Sequence, residues 1–363
     1  MRKIVSLVLV IALCVSCLAF RGYAAESDEV ESGIVEALRS VEPIKEQLGL
    51  SSVDFDQLTT SNHIFAYDYT NTGFVYNAEF IPIKHEGVLI GWVIKAPHQG
   101  DNIYQFSTTF VEKVNDHLDI LDEFAIIYDA QSSYLYNGVD LIKLEDVGVA
   151  IKDRAEITEE KLLDTEVILN SIDASLALEY TNNASIARTS SVILCDVDFV
   201  TQYPIPNEET SLCWAASAAC IINYIRGTTY NALSIAQNWY GNTGYNQMLP
   251  MEDAEDLLAR YNVYYSYRAQ VPSETIIVNN VGNGYPILAS FLTTGAPRIG
   301  SHISVIHGIN PFTRKLYVMD PIIGFAVANW DDDDWGNDLY VYQNVILGGT
   351  MTLSYALCQS WAT

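Results

Sequence analysis

From Trp214 to Ile225 nearly every residue is apolar or small, with no polar stripe at any helical phase. A segment that is apolar all round predicts a helix buried in a core rather than one lying on a surface. Thr210 and Ser211 precede the run as N-cap candidates, which sets Cys213 in the first helical turn. Asn231–Tyr240 and Met251–Tyr261 carry the next helical patterns, and Pro250, Glu252 and Asp253 suit the start of the second. The period then falls to two. Gly284–Ser290, Ser301–Ile309 and Leu316–Asp320 read as strands, the last two joined by a turn centred near Pro311, and Thr350–Leu357 is a final strand. Val192–Thr201 predicts one more strand ahead of the buried helix.

The chain before this half has a different rhythm. Asp28–Val41 is helical in pattern, apolar at Val30, Ile34, Ala37, Leu38 and Val41, with Pro43 as its stop. Strand-like runs follow at Phe74–Ile83, Gly87–Ile94, Ile103–Val111 and Phe124–Tyr128. Tyr134–Ile142 reads as strand, turn, strand, and Asp116–Leu121 as a short helix. This order predicts a helix on an antiparallel sheet, an α+β module over residues 25–187. Its histidines, His63, His85, His98 and His117, are scattered and read as surface or core side chains. Leu178–Val192 is polar and small, a linker open to proteolysis.

Residues 1–24 have the form of a secretory leader: Arg2 and Lys3, an apolar run from Ile4 to Phe20, and Gly22-Tyr23-Ala24 as the cleavage site. A lipoprotein leader ending before Cys17 ranks second, because Cys14 stands where a leucine is usual, and a retained anchor third, because the apolar run is short. The mature chain is therefore expected outside the cell or on its surface. The net charge of −26 becomes −29 once Arg2, Lys3 and Arg21 leave with the leader. Such a surface repels nucleic acid and anionic membranes, which are excluded as main partners. A hydrophobic content of 49% against 18% charge is enough to bury two packed cores. The cysteines left after the leader are Cys195, Cys213, Cys220 and Cys358, too few and too scattered for a disulfide scaffold. With no Cys-x-x-Cys or His-x-x-x-His pair, no metal or other cofactor is expected. The acidic run Asn329–Asp338 lacks the terminal glutamate of a calcium loop and reads as a solvated loop.

The candidate chemistry lies in residues 188–363. Alone, Cys213 reads as a small buried hydrophobe. At the positive end of a helix its thiol would ionise more readily, and the thiolate is the nucleophile. Folding the strand pair about residue 311 sets His302 opposite Asp320, close enough for the carboxylate to orient the imidazole. His307, an odd number of positions on, turns to the other face, so His302 is the candidate base.

Cys213-Trp214-Ala215-Ala216-Ser217 at a helix start, Gly284-Tyr285-Pro286 opening a strand, Ser301-His302 through Gly308, and Tyr317-Val318-Met319-Asp320-Pro321 occur in that order. Together they resemble the papain-like cysteine peptidases of bacteria, in the branch related to bacteriocin-leader-processing and effector peptidases. The resemblance implies an α+β fold with a helical wall facing a twisted antiparallel sheet, a thiolate–imidazolium pair and an acyl-enzyme. It also implies an upstream glutamine whose amide joins the cysteine N–H in an oxyanion hole. Gln202 is the only glutamine between the linker and Cys213, and it stands eleven positions ahead with Pro204–Glu209 as an inserted loop. The expectation is a secreted cysteine endopeptidase made as a precursor. Its substrates are proteins or peptides, and its N-terminal domain is an intramolecular inhibitor over the Cys213 cleft. An acyl-transferring enzyme on the same triad and a catalytically inactive surface-binding protein are the alternatives.

Overall fold

The computed structural model describes residues 32–61, 63–98, 101–115, 117, 124–130, 132–137, 140–146, 154–157, 192–204, 210–294, 301–332, 338–344 and 349–361. The leader, residues 178–191 of the linker, the start of the Asp28–Val41 pattern, all of Asp116–Leu121 but His117, and the centre of the acidic run lie outside these residues.

The N-terminal half opens with α1 (residues 32–41), which runs into a single 3₁₀ turn at Glu42–Ile44 where Pro43 falls. The strands are β1 (Leu58–Thr60), β2 (Ile64–Thr70), β3 (Gly73–His85), β4 (Val88–His98), β5 (Asp101–Ser107), β6 (Ala125–Tyr128), β7 (Ser132–Tyr136) and β8 (Leu141–Asp146). A short helix, α2 (Val111–Asn115), lies between β5 and β6. The sheet order is β5-β4-β3-β2-β6-β7-β8, with β1 against β3. All these pairings are antiparallel except β2–β6, which is parallel. Strand alternation gives the sheet two apolar faces. Ile81, Ile83, Val93 and Phe106 meet Ile34, Leu38 and Val41 of α1 on one, while Phe80, Trp92 and Ile94 enter the larger core on the other.

The C-terminal half contains β9 (Ile193–Leu194), α3 (Cys213–Arg226), α4 (Ala232–Tyr240), α5 (Ala254–Ala259), β10 (Ser266–Arg268) and α6 (Glu274–Gly282). It ends in β11 (Ile287–Thr294), β12 (Ser301–Asn310), β13 (Lys315–Asp320), β14 (Gly324–Asp332), β15 (Asp338–Asn344) and β16 (Gly349–Cys358). The six strands pair β16-β11-β12-β13-β14-β15, and β15 also pairs with β16, so the expected twisted antiparallel sheet closes into a barrel. The strand expected over Val192–Thr201 shrinks to Ile193–Leu194, which pairs with β12 at Gly308. A side chain at Gly308 would press on Leu194 and lie 3.0 Å from Tyr317 Cβ, so glycine eases the close crossing of this strand. Helix α4 starts as its sequence indicates: Asn231 caps it, and its side chain and that of Ser234 form a reciprocal capping box.

The two halves share packing. Ile34, Leu38 and Val41 of α1 lie in one apolar cluster with Tyr317 of β13 and Val327 of β14. Lys315 pairs with Glu36 at 2.7 Å, and the Gln47 amide donates to Asp196 at 3.3 Å. Tyr317 and Lys315 lie on β13 and Val327 on β14. Among the described residues no helix is long and apolar enough to cross a membrane.

Candidate active site

Helix α3 begins at Cys213 itself. Its N-cap is Leu212, with no side-chain cap, rather than Thr210 or Ser211. Those two are committed elsewhere: the Thr210 hydroxyl donates to the Gln202 carbonyl, and the Ser211 N–H donates to Asn246 Oδ1 at 2.7 Å. The first-turn N–H groups of the helix therefore face the site without a side-chain oxygen on them. Residues Trp214 to Asn223 are buried, as an all-apolar pattern requires. Trp214 fixes the helix head, donating its indole N–H to the Gln247 carbonyl at 2.9 Å and meeting Tyr240 edge-on. Ser217 ties the helix to β12 by donating to the Ile303 carbonyl at 2.9 Å, one residue from His302. Gly227, left-handed at φ 64°, ends the helix.

The β12–β13 pair differs from the simple hairpin about residue 311. The turn spans 311–314, held by Asn310 Oδ1 accepting the Phe312 and Thr313 N–H groups at 3.1 and 3.2 Å. His307 is an unpaired bulge residue, and Val305 faces Met319. One step further along, Asp320 faces Ser304, so His302 stands diagonal to Asp320 on the same inner face. The contact survives this shift: His302 Nε2 lies 3.0 Å from Asp320 Oδ1. The Cys213 thiol lies near enough to the ring to act on its charge.

Asp320 is fully buried and has five donors. Oδ1 accepts from His302, from the Ile322 N–H at 2.7 Å and from the Ile323 N–H at 3.4 Å. Oδ2 accepts from the Tyr342 hydroxyl at 2.7 Å and from the Asn344 amide at 2.9 Å. Burial raises its pKa, but the imidazolium, the Tyr342 hydroxyl and the Ile322 N–H outweigh that and hold it below the usual carboxylate range. For His302, burial disfavours the charged ring, yet Asp320 and Cys213 prevail and push its pKa up to about 10. Phe291, directly opposite His302, packs edge-on to Tyr342 and closes the inner face with apolar surface.

The remaining groups separate cleanly. Cys213 is half-buried, whereas Cys195, Cys220 and Cys358 are buried, and all four are free thiols. Burial pushes Cys195 up to about 11 and Cys358 up to about 12, and raises Cys220 further. His307 turns away, its Nδ1–H donating to the Cys195 carbonyl at 3.1 Å, and burial lowers its pKa to about 4. Gln202 is buried. Its N–H donates to the Pro321 carbonyl at 3.0 Å and its amide to the Thr210 carbonyl at 3.3 Å, so it bridges the segment after Asp320 and the segment before Cys213. An open hollow of about 430 Å³, lined by Phe199, Tyr203, Asn223 and Tyr230, lies near the other end of α3, away from the thiol. Among the described residues no group of three His, Cys, Asp or Glu is placed to hold a metal ion.

Sequence reading missed Tyr342 and Asn344. Their signal was the apolar run Leu339-Tyr340-Val341-Tyr342, which fits a strand buried on both faces.

A cysteine at the head of a buried helix, near a histidine that is paired with a buried aspartate, is an arrangement able to generate a thiolate nucleophile. The model of the Peptidase_C39 like family matches residues 194–344, a span that holds Gln202, Cys213, His302, Asp320, Tyr342 and Asn344. The match supports a cysteine peptidase. No curated protein matches the chain.

Proposed function

We propose that the chain is a cysteine endopeptidase in which Cys213, His302 and Asp320 form the catalytic triad. The observation that carries this reading is His302 itself, 3.0 Å from buried Asp320 and close enough to the Cys213 thiol to share its charge. The Cys213 thiolate attacks the scissile carbonyl and forms a tetrahedral intermediate. The Cys213 N–H at the helix head and the Gln202 amide stabilise its oxyanion. His302 gives its proton to the leaving amine, leaving a thioester, then takes a proton from water as the water attacks the thioester. Asp320 fixes the ring orientation throughout, because Nε2 is committed to it and only Nδ1 is left to serve the thiol.

Residues 1–24 support an exported protein, and the linker over Leu178–Val192 supports a precursor that is cut there. The N-terminal half packs on β13 and β14 at Tyr317, Val327 and Lys315, bonds the main chain of Gln343 in β15 and shares the larger apolar core, and the contacts at those four residues involve neither Cys213 nor His302. They favour a supporting domain over a plug of the cleft. The test is mass spectrometry of the secreted protein beside Cys213→Ala, with alkylation of the native protein by iodoacetamide and hydrolysis of a peptide library. Single-site alkylation at Cys213 together with thiol-dependent hydrolysis is expected. A native protein that resists alkylation at Cys213 and cleaves nothing would overturn the reading.

A further inference from the structure

The barrel has a gap at Gln343. The β14–β15 ladder runs from Asp332↔Asp338 to Asn329↔Val341 and stops, while β15 continues along β16 to Asn344. Gln343 is only 3% exposed, so its main-chain N–H and C=O cannot turn to water. A side chain from the other half of the molecule fills the gap. Gln105 of β5, itself 2% exposed, donates its amide N–H to the Gln343 carbonyl at 3.1 Å. Its amide oxygen accepts the Gln343 N–H at 2.7 Å. One carboxamide thus supplies both bonds that a neighbouring strand would have made. The residues on either side of Gln343 are Tyr342 and Asn344, the two that hold Asp320 Oδ2.

We propose that Gln105 is a positioning residue for Asp320, acting through the Gln343 main chain and its neighbours Tyr342 and Asn344. The N-terminal domain is thereby part of the working peptidase. This rests on the triad reading above. The chemistry explains why glutamine occupies the position. A leucine there would strand both the donor and the acceptor of Gln343. A glutamate would accept the N–H but set a second oxygen against the carbonyl. A carboxamide offers one donor and one acceptor in the same plane without having to take up a proton.

The experiment compares the full-length wild type with Gln105→Leu, Asn344→Ala and the double variant. It reads kcat and KM on a peptide, the pH profile of Cys213 alkylation by iodoacetamide, and the His302 titration by NMR. Gln105→Leu is expected to lower kcat ~10-fold with KM within about twofold, as loss of a supporting partner does. It is also expected to shift the His302 titration and the alkaline limb of alkylation to lower pH. The double variant should lose less than the product of the two single losses, because both act on one carboxylate. A folded Gln105→Leu with wild-type kcat and titration, or strictly multiplicative losses, overturns the proposal. Should Gln105→Leu fail to fold, Gln105→Met, which keeps the length and flexibility of the side chain but neither polar group, is read by the same criteria. If the wild type cleaves no peptide, the peptidase reading fails separately. The His302 titration still decides the present proposal, a downward shift upholding it and an unchanged value overturning it.

Discussion

Among the described residues two buried histidine–carboxylate pairs occur, one in each half. In the N-terminal sheet His63 bonds Glu79, and Lys95 stands 3.5 Å from the same carboxylate. In the barrel His302 bonds Asp320, and the third partner is the Cys213 thiol. Both carboxylates are held below their usual range against burial, each by charged and hydrogen-bonding neighbours. The difference lies in the third member. A lysine beside the pair only completes a charge balance in a sheet. A thiol beside the pair, half-buried at a helix head, turns the same motif into a nucleophile with its proton acceptor attached. A buried histidine–carboxylate pair is thus a structural device in itself, and the group on the far side of the ring makes it chemical.

This contrast can be broken from several directions. The largest effect belongs to Cys213→Ala and His302→Ala, each expected to lower kcat ~10⁴–10⁶-fold, measured on any cleaved peptide with folding checked by circular dichroism. Gln202→Ala should cost ~10²–10³ in kcat if its amide serves the oxyanion. A loss below threefold would reassign Gln202 to holding Thr210 and Pro321 together. Tyr342→Phe removes one of five donors to Asp320 and should lower kcat ~10-fold, with little change in KM. At the small end, His63→Ala should leave kcat within twofold and lower stability by about 2 kcal/mol in urea unfolding, since one hydrogen bond to a charged, buried group is lost.

The pH dependence of stability sharpens the comparison further. His302 has a folded pKa of about 10, above its unfolded value of roughly 6.5. Its contribution is complete below about 6.5 and is lost as pH rises through about 10. Asp320 is shifted down, so its contribution is present above its unfolded value of about 3.9 and is lost as pH falls through its lower folded value. The difference in melting temperature between wild type and His302→Ala should therefore shrink as pH is raised from 7 toward 10. A constant difference across that range would contradict the ion pair.

The parts of the site that were legible in the sequence are local. An all-apolar run after a polar turn revealed α3 and put Cys213 at its head. Alternation and the Asn310-Pro311 turn revealed β12 and β13 and brought His302 near Asp320. What alternation cannot register is a bulge. His307 drops out of the ladder and the turn takes four residues, so Asp320 meets Ser304 in register and His302 only diagonally. The anchors Tyr342 and Asn344 were hidden for another reason. The acidic run Asn329–Asp338 reads as a solvated loop, whereas its first four residues belong to β14 and its last opens β15. The position of Tyr342 and Asn344 depends on β15 closing onto β16, a pairing set by the whole barrel and by no short pattern. The pairing of Gln105 with Gln343 joins positions 238 residues apart and leaves no local trace at all.

The apolar seam between α1 and the barrel changes what a cut in the linker can mean. Ile34, Leu38 and Val41 pack with Tyr317 and Val327, and all four described cysteines are free thiols. Severing the chain between Leu178 and Val192 would leave that seam untouched. The product would be a nicked, two-chain molecule, running as two bands in denaturant and as one particle on a sizing column. Processing would then change the number of chain ends and the freedom of the linker, while the mass of the native particle stayed the same.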